Sequence, residues 1–159
     1  MDEGSIKNLI KVWYEKGSNE QDIFSKFIFL WFCFNAWISH LSDEESDAGM
    51  MRELANRDAR MSDLFSIYDT LMEATPTVFR VHVQTLAAAS PIEDARGIRP
   101  PVVIASESDF PNVIWGIYRV RCNLFHGSKN AKDPRDQKLV VVAGQILEKL
   151  VGGLKAQWR

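Results

Sequence analysis

The run IYRVRCNLFHGSK, Ile117 to Lys129, places Arg121 and His126 four intervening residues apart at the end of a helical pattern, directly before Gly127. An imidazole can take or give a proton near neutral pH, and a guanidinium presents a fork that matches phosphate oxygens. That pair of groups fits metal-independent cleavage of RNA. A proton leaves the ribose 2′-hydroxyl as it attacks, while charge grows on the phosphate oxygens. The plainer alternative is a histidine that favours the negative end of its helix by about 0.3–1 kcal/mol, beside an arginine paired with an acidic neighbour.

Helical geometry puts Arg121 and His126 about 140° apart around the axis, whereas Arg119, Asn123 and His126 share one face at spacings of four and seven. Arg121 therefore reaches His126 through its long side chain, through a bend at the helix end, or from a second copy of the protein. A two-fold dimer would set two such helix ends against each other and make one cleft from two halves. Around the motif, Arg119, Arg121, Lys129, Lys132, Arg135 and Lys138 face only Asp133 and Asp136. This local excess suits a phosphate-tracking rim in which Arg119, Lys129, Lys132 and Arg135 are the candidate nucleic-acid contacts. For any single lysine, a solvated loop is the simpler reading.

The rest of the chain has to position that helix end. Its 159 residues suit one domain, 1–159, and the formal net charge of −2 excludes a protein that holds nucleic acid by bulk positive charge. Ile6, Leu9, Ile10 and Trp13 recur at helical spacing up to Gly17. Ser18 with Gln21 reads as a capping box for a second helix running to about Leu41. In that helix Phe27 to Ile38 is apolar except for Asn35, at 12 residues too short for the ~20 that span a bilayer, so it reads as a buried helix. Asn35 then needs partners, because an unpaired buried amide costs about 1–3 kcal/mol.

The acidic stretch Ser42 to Asp47 ends on Ser46 or Asp47 as a cap. Helical patterns follow through Met50, Met51 and Leu54, and again from Met61 to Met72, until Thr75-Pro76 breaks them. Val78 to Ala89 reads as a helix, with a short strand over Val78–Val83 as the minor alternative. Ser90 to Ser108 reads as a long connection. Asp109 with Pro111, and Asp133 with Pro134, then open the last two helices. The sum is an all-α, up-and-down bundle of about five or six helices.

Nothing in the sequence calls for a cofactor or a metal. His40 and His82 stand at no metal-ligand spacing, and Cys33 and Cys122 lack the companions of a zinc or redox site. Two cysteines and an N-terminus without a basic segment before an apolar core predict a cytoplasmic protein, not anchored in a membrane.

Tyr118, Arg121, Asn123, Leu124, Phe125, His126, Gly127 and Lys129, followed by Asp136, Leu139 and Val140, resemble the corresponding motif of the HEPN superfamily of small helical bundles. Trp31, Phe34, Asn35, Ala36 and Trp37 resemble the early central helix of the same family, so that similarity covers roughly half the chain. The resemblance implies a dimerising bundle and, for many members, an endoribonuclease site built from the arginine and histidine of both protomers. Carried over, Arg121 holds the phosphate, His126 is the acid and base, and Asn123 completes the catalytic set. A nucleotidyltransferase-like antitoxin partner, as for toxin-type members, is a further implication. Active members usually carry Asn, Asp or His directly after the arginine, where this chain has Cys122. The alternative is therefore a non-catalytic module that binds a nucleotide, RNA or protein in the same cleft.

Overall fold

A computed structural model describes residues 1–126 and 133–158. These form seven α-helices: α1 (Glu3–Ser18), α2 (Ile23–Leu41), α3 (Asp47–Ala55), α4 (Ser62–Glu73), α5 (Val78–Ala89), α6 (Phe110–Phe125) and α7 (Pro134–Ala156). A 3-10 turn, Ala59–Met61, precedes α4. The protein is an all-α bundle, with more helices than the five or six expected. Between α3 and α4, Asn56 closes one helix, Arg57 takes a φ of 55°, and Asp58 caps the 3-10 turn. Val78–Val83 is helical, not a strand.

Side-chain caps set most of the starts. Asp2, Asp22, Ser46, Asp109 and Asp133 each accept a backbone N–H from the first turn they precede. The expected Ser18–Gln21 capping box does not form. α1 continues through Ser18, and the stronger acceptor Asp22 caps α2, bonding Ser25 N at 2.9 Å and Ser25 Oγ at 2.8 Å.

α1 and α2 run antiparallel, with Ile10 beside Cys33 and Trp13 tilted against Phe29 and edge-on to Phe32. α7 is the central helix and touches α1, α2, α4, α5 and α6. It buries Leu139, Val140, Ala143, Ile146, Leu147, Leu150 and Leu154 at roughly heptad spacing. α2 is long and apolar enough to cross a membrane by length and composition. Here seven of its side chains, Phe27 and Trp31 among them, are buried in the bundle core. Asn35 Oδ1 has no hydrogen-bond partner among the described residues. Burial pushes the Cys33 thiol up to about 12, which keeps it protonated beside the Ile10 carbonyl.

The connection between α5 and α6 is ordered by pairing, not by secondary structure. Ile92 and Val102 exchange two backbone bonds of 2.8 and 3.0 Å, the one β-bridge among the described residues. Ile92 and Ile104 press on α6 so closely that a methyl group at Gly116 would stand 3.2 and 3.1 Å from their Cδ1 atoms.

Candidate functional site

One side of α6 from Asn112 to its C-terminal end, the first turns of α3 and the 94–103 loop enclose a groove of about 600 Å³. Trp115, Tyr118, Arg119, Arg121 and the cap residue His126 face it from α6. Arg52 adds to it from α3, and Asp94, Arg96 and Arg99 from the loop. Five arginines thus surround one space against a single lining acid, Asp94, among the described residues. Arg121 and His126 open on the same groove although the ideal helix separates them by about 140°. The groove runs along α6 to its end, and His126 sits just past the last helical turn, where Phe125 ends the helix.

Arg121 is held on several sides. Its Nη2 lies 2.9 Å from Asp47 Oδ2 on the first turn of α3, and its guanidinium carbon is 4.4 Å from the Phe125 ring centroid. The rings of Trp31 and Tyr118 lie 5.7 and 5.9 Å away. A half-buried cation needs such partners, and Asp47 is itself favoured by the positive end of α3. Nη1 makes only a 3.9 Å contact with Cys122 Sγ, which leaves donor capacity on the guanidinium. His126 is exposed. Its backbone N–H closes α6 on the Cys122 carbonyl at 3.0 Å, and its ring makes no hydrogen bond among the described residues.

Asn123 and Arg119 share the face that sequence spacing gives them, and both are spent on the loop. Asn123 is buried: Nδ2 donates to the Glu93 carbonyl at 2.9 Å, and Oδ1 accepts from Ala95 N at 3.0 Å. Arg119 donates to the carbonyls of Ile92 and Pro100 at 3.1 and 3.0 Å. Arg135, on α7, donates to the carbonyls of Ala89 and Pro91, both at 2.9 Å, and does not line the groove. Lys129 and Lys132 lie outside the described residues.

Sequence reasoning missed Arg52, Arg96, Arg99, Trp115 and the anchoring role of Asp47. Two of them form the pair of arginines inside ARGIRPP, but that stretch reads as a connection and carries no local signal of a site. Asp94 shapes this loop by accepting from the backbone N–H groups of Arg96, Ile98 and Arg99 at 3.1, 3.2 and 2.8 Å. Those donors hold its carboxyl below the usual aspartate range, with the Arg119 charge adding to the effect. Burial pushes the Tyr118 phenol up to about 12, so it stays a neutral donor beside Cys122.

Among the described residues no three His, Cys, Asp or Glu side chains converge as metal ligands. The groove presents five guanidinium groups and one imidazole, a lining that suits an anion. Comparison with family models, curated proteins and solved structures found no match to this chain.

Proposed function

We propose that this protein is a HEPN-type, metal-independent endoribonuclease that acts as a homodimer. The observation that carries the reading is the shared groove: Arg121 and His126 open on one concave, arginine-lined space. Arg121 binds the scissile phosphate and offsets charge on its oxygens. His126 takes the proton from the 2′-hydroxyl, whose oxygen bonds to phosphorus while the bond from phosphorus to the 5′-oxygen breaks. The departing 5′-oxygen takes a proton from the protonated imidazole of the second copy. The products are a 2′,3′-cyclic phosphate and a 5′-hydroxyl. In the test, purified protein in a chelator is incubated with a mixed RNA pool and the new ends are analysed. The proposal requires cyclic phosphate ends that His126→Ala abolishes.

A second reading has its own observation. Arg121 is already matched by Asp47, and no acidic side chain among the described residues orients the His126 ring. Both facts suit a regulatory module that binds nucleotide or RNA without turnover. Binding that Arg121→Ala removes, with RNA left intact, would favour it.

A further inference from the structure

We infer that Arg52, Arg96, Arg99 and Trp115 form a subsite for nucleotides of an unpaired strand flanking the phosphate at Arg121. The inference rests on the RNA reading of the groove but not on cleavage. Three observations lead to it, and each concerns residues outside the arginine and histidine motif.

The first is charge without partners. Arg119 and Arg121 are engaged with carbonyls and with Asp47, whereas the guanidinium groups of Arg52, Arg96 and Arg99 have no hydrogen bond or ion pair among the described residues. Like charges gathered on a concave wall repel one another, and a polyanion entering the groove relieves that repulsion.

The second is rigidity. Asn123 and Arg119 anchor the loop from α6, Asp94 ties its turn through three N–H groups, and Gly97 supplies the φ of 68° that the turn needs. Arg96 and Arg99 are thus presented from a fixed backbone, which lowers the ordering cost of binding. The Arg119 and Asn123 side chains are what make the wall.

The third is the lining itself. Trp115 is half-buried, stands edge-on to Tyr118 at 5.8 Å, and faces the groove with Pro100 and Pro101. A half-exposed indole among cations is a stacking platform for a base, and stacking of this kind needs a base outside a duplex. The 600 Å³ volume falls in the range of small-molecule sites and exceeds what one phosphate fills.

The test uses a fluorescein-labelled, fully 2′-O-methyl hexanucleotide, which has no attacking hydroxyl, with binding followed by anisotropy across a salt series. The whole protein should bind it, and should bind a duplex of the same sequence at least tenfold more weakly. Each phosphate contact on a single strand contributes about −0.7 to the slope of log K against log salt. The Arg96→Ala/Arg99→Ala double variant should therefore lose roughly 1.4 from that slope. Trp115→Ala should weaken binding roughly 5- to 150-fold while Trp115→Phe retains most of it. Circular dichroism checks that all three variants fold.

Absence of binding by the unaltered protein at low salt, or equal affinity for the duplex, overturns the subsite. So does an unchanged slope in the double variant. Equal competition by oligo-glutamate without any effect of Trp115→Ala would reassign the wall to acidic peptides. Binding as described with natural RNA left uncut contradicts the nuclease reading alone. RNA cut with an unchanged KM in the double variant contradicts the subsite alone.

Discussion

Asp47 Oδ2 accepts from Arg121 Nη2 at 2.9 Å and so ties the first turn of α3 to the last turn of α6. The contact fixes the arginine on which the proposed chemistry depends, and it also occupies one edge of the fork that a phosphate would use. Both side chains are less than a third exposed, so the pair is neither a fully solvated bridge nor a fully buried one.

Asp47→Asn should therefore lower stability by about 1–2 kcal/mol, between the values for surface and buried pairs. It should also tighten binding of an uncleavable RNA, because one compensating negative charge beside the groove is lost. Thermal melts and anisotropy on the same variant check the two effects, which have opposite signs.

Asn123→Ala removes two bonds to the loop and leaves the Glu93 carbonyl and the Ala95 N–H without their side-chain partner. A cost of about 2–3 kcal/mol is expected. Hydrogen exchange should rise first over residues 93–99, with α1 and α2 little changed. If Asn123 acted in catalysis instead, cleavage would fall with loop protection intact.

The Asp94 turn gives a pH dependence. Its folded-state carboxyl sits below the unfolded value of about 3.9, so the loop's stabilisation is complete above that value and is lost as pH falls through the lowered folded one. Loop protection should be constant from pH 7 down to about 5 and decline only in strong acid. Asp94→Asn should abolish that decline and leave the loop exchanging faster than in the unaltered protein near neutral pH, with the two converging in strong acid, as followed by amide exchange.

Gly153 lies where α7 meets α4, and a methyl group there would stand 2.6 Å from Ile67 Cγ2. Overpacking of about 1–3 kcal/mol should exceed the ~1 kcal/mol that alanine gains in a helix, so Gly153→Ala should lower Tm. Pairing it with Ile67→Leu, which removes the Cγ2 methyl from Cβ, should recover part of the loss.

The helix starts at Asp109 and Asp133 were legible because a cap and a proline are local signals a few residues apart, and α7 announced itself by the spacing of Leu139, Ala143, Ile146 and Leu150. The groove was half legible. Arg121 and His126 stand in one continuous motif, but its other wall is built by contacts that span 19 to 30 residues of sequence, from Arg119 and Asn123 to the loop carbonyls. Periodicity gives which face a side chain occupies, and not what packs on that face. Spacing puts Arg119 and Asn123 on the motif's face, as an RNA contact and a member of the catalytic set, while a long-range loop takes up their polar groups. The capping box at Ser18 failed for a more local reason, a better acceptor at Asp22 four residues on.

The central claim is that Arg121 and His126 cleave RNA through the 2′-hydroxyl. Its most direct measurement follows one oligonucleotide with a single ribose in an otherwise 2′-O-methyl strand, incubated with purified protein in chelator, with the products identified by mass. The account predicts a single cut after the ribose, leaving a 2′,3′-cyclic phosphate and a 5′-hydroxyl, with the rate falling at least 100-fold in His126→Ala and in Arg121→Ala. An uncut strand, or equal cutting by the His126→Ala protein, would contradict it.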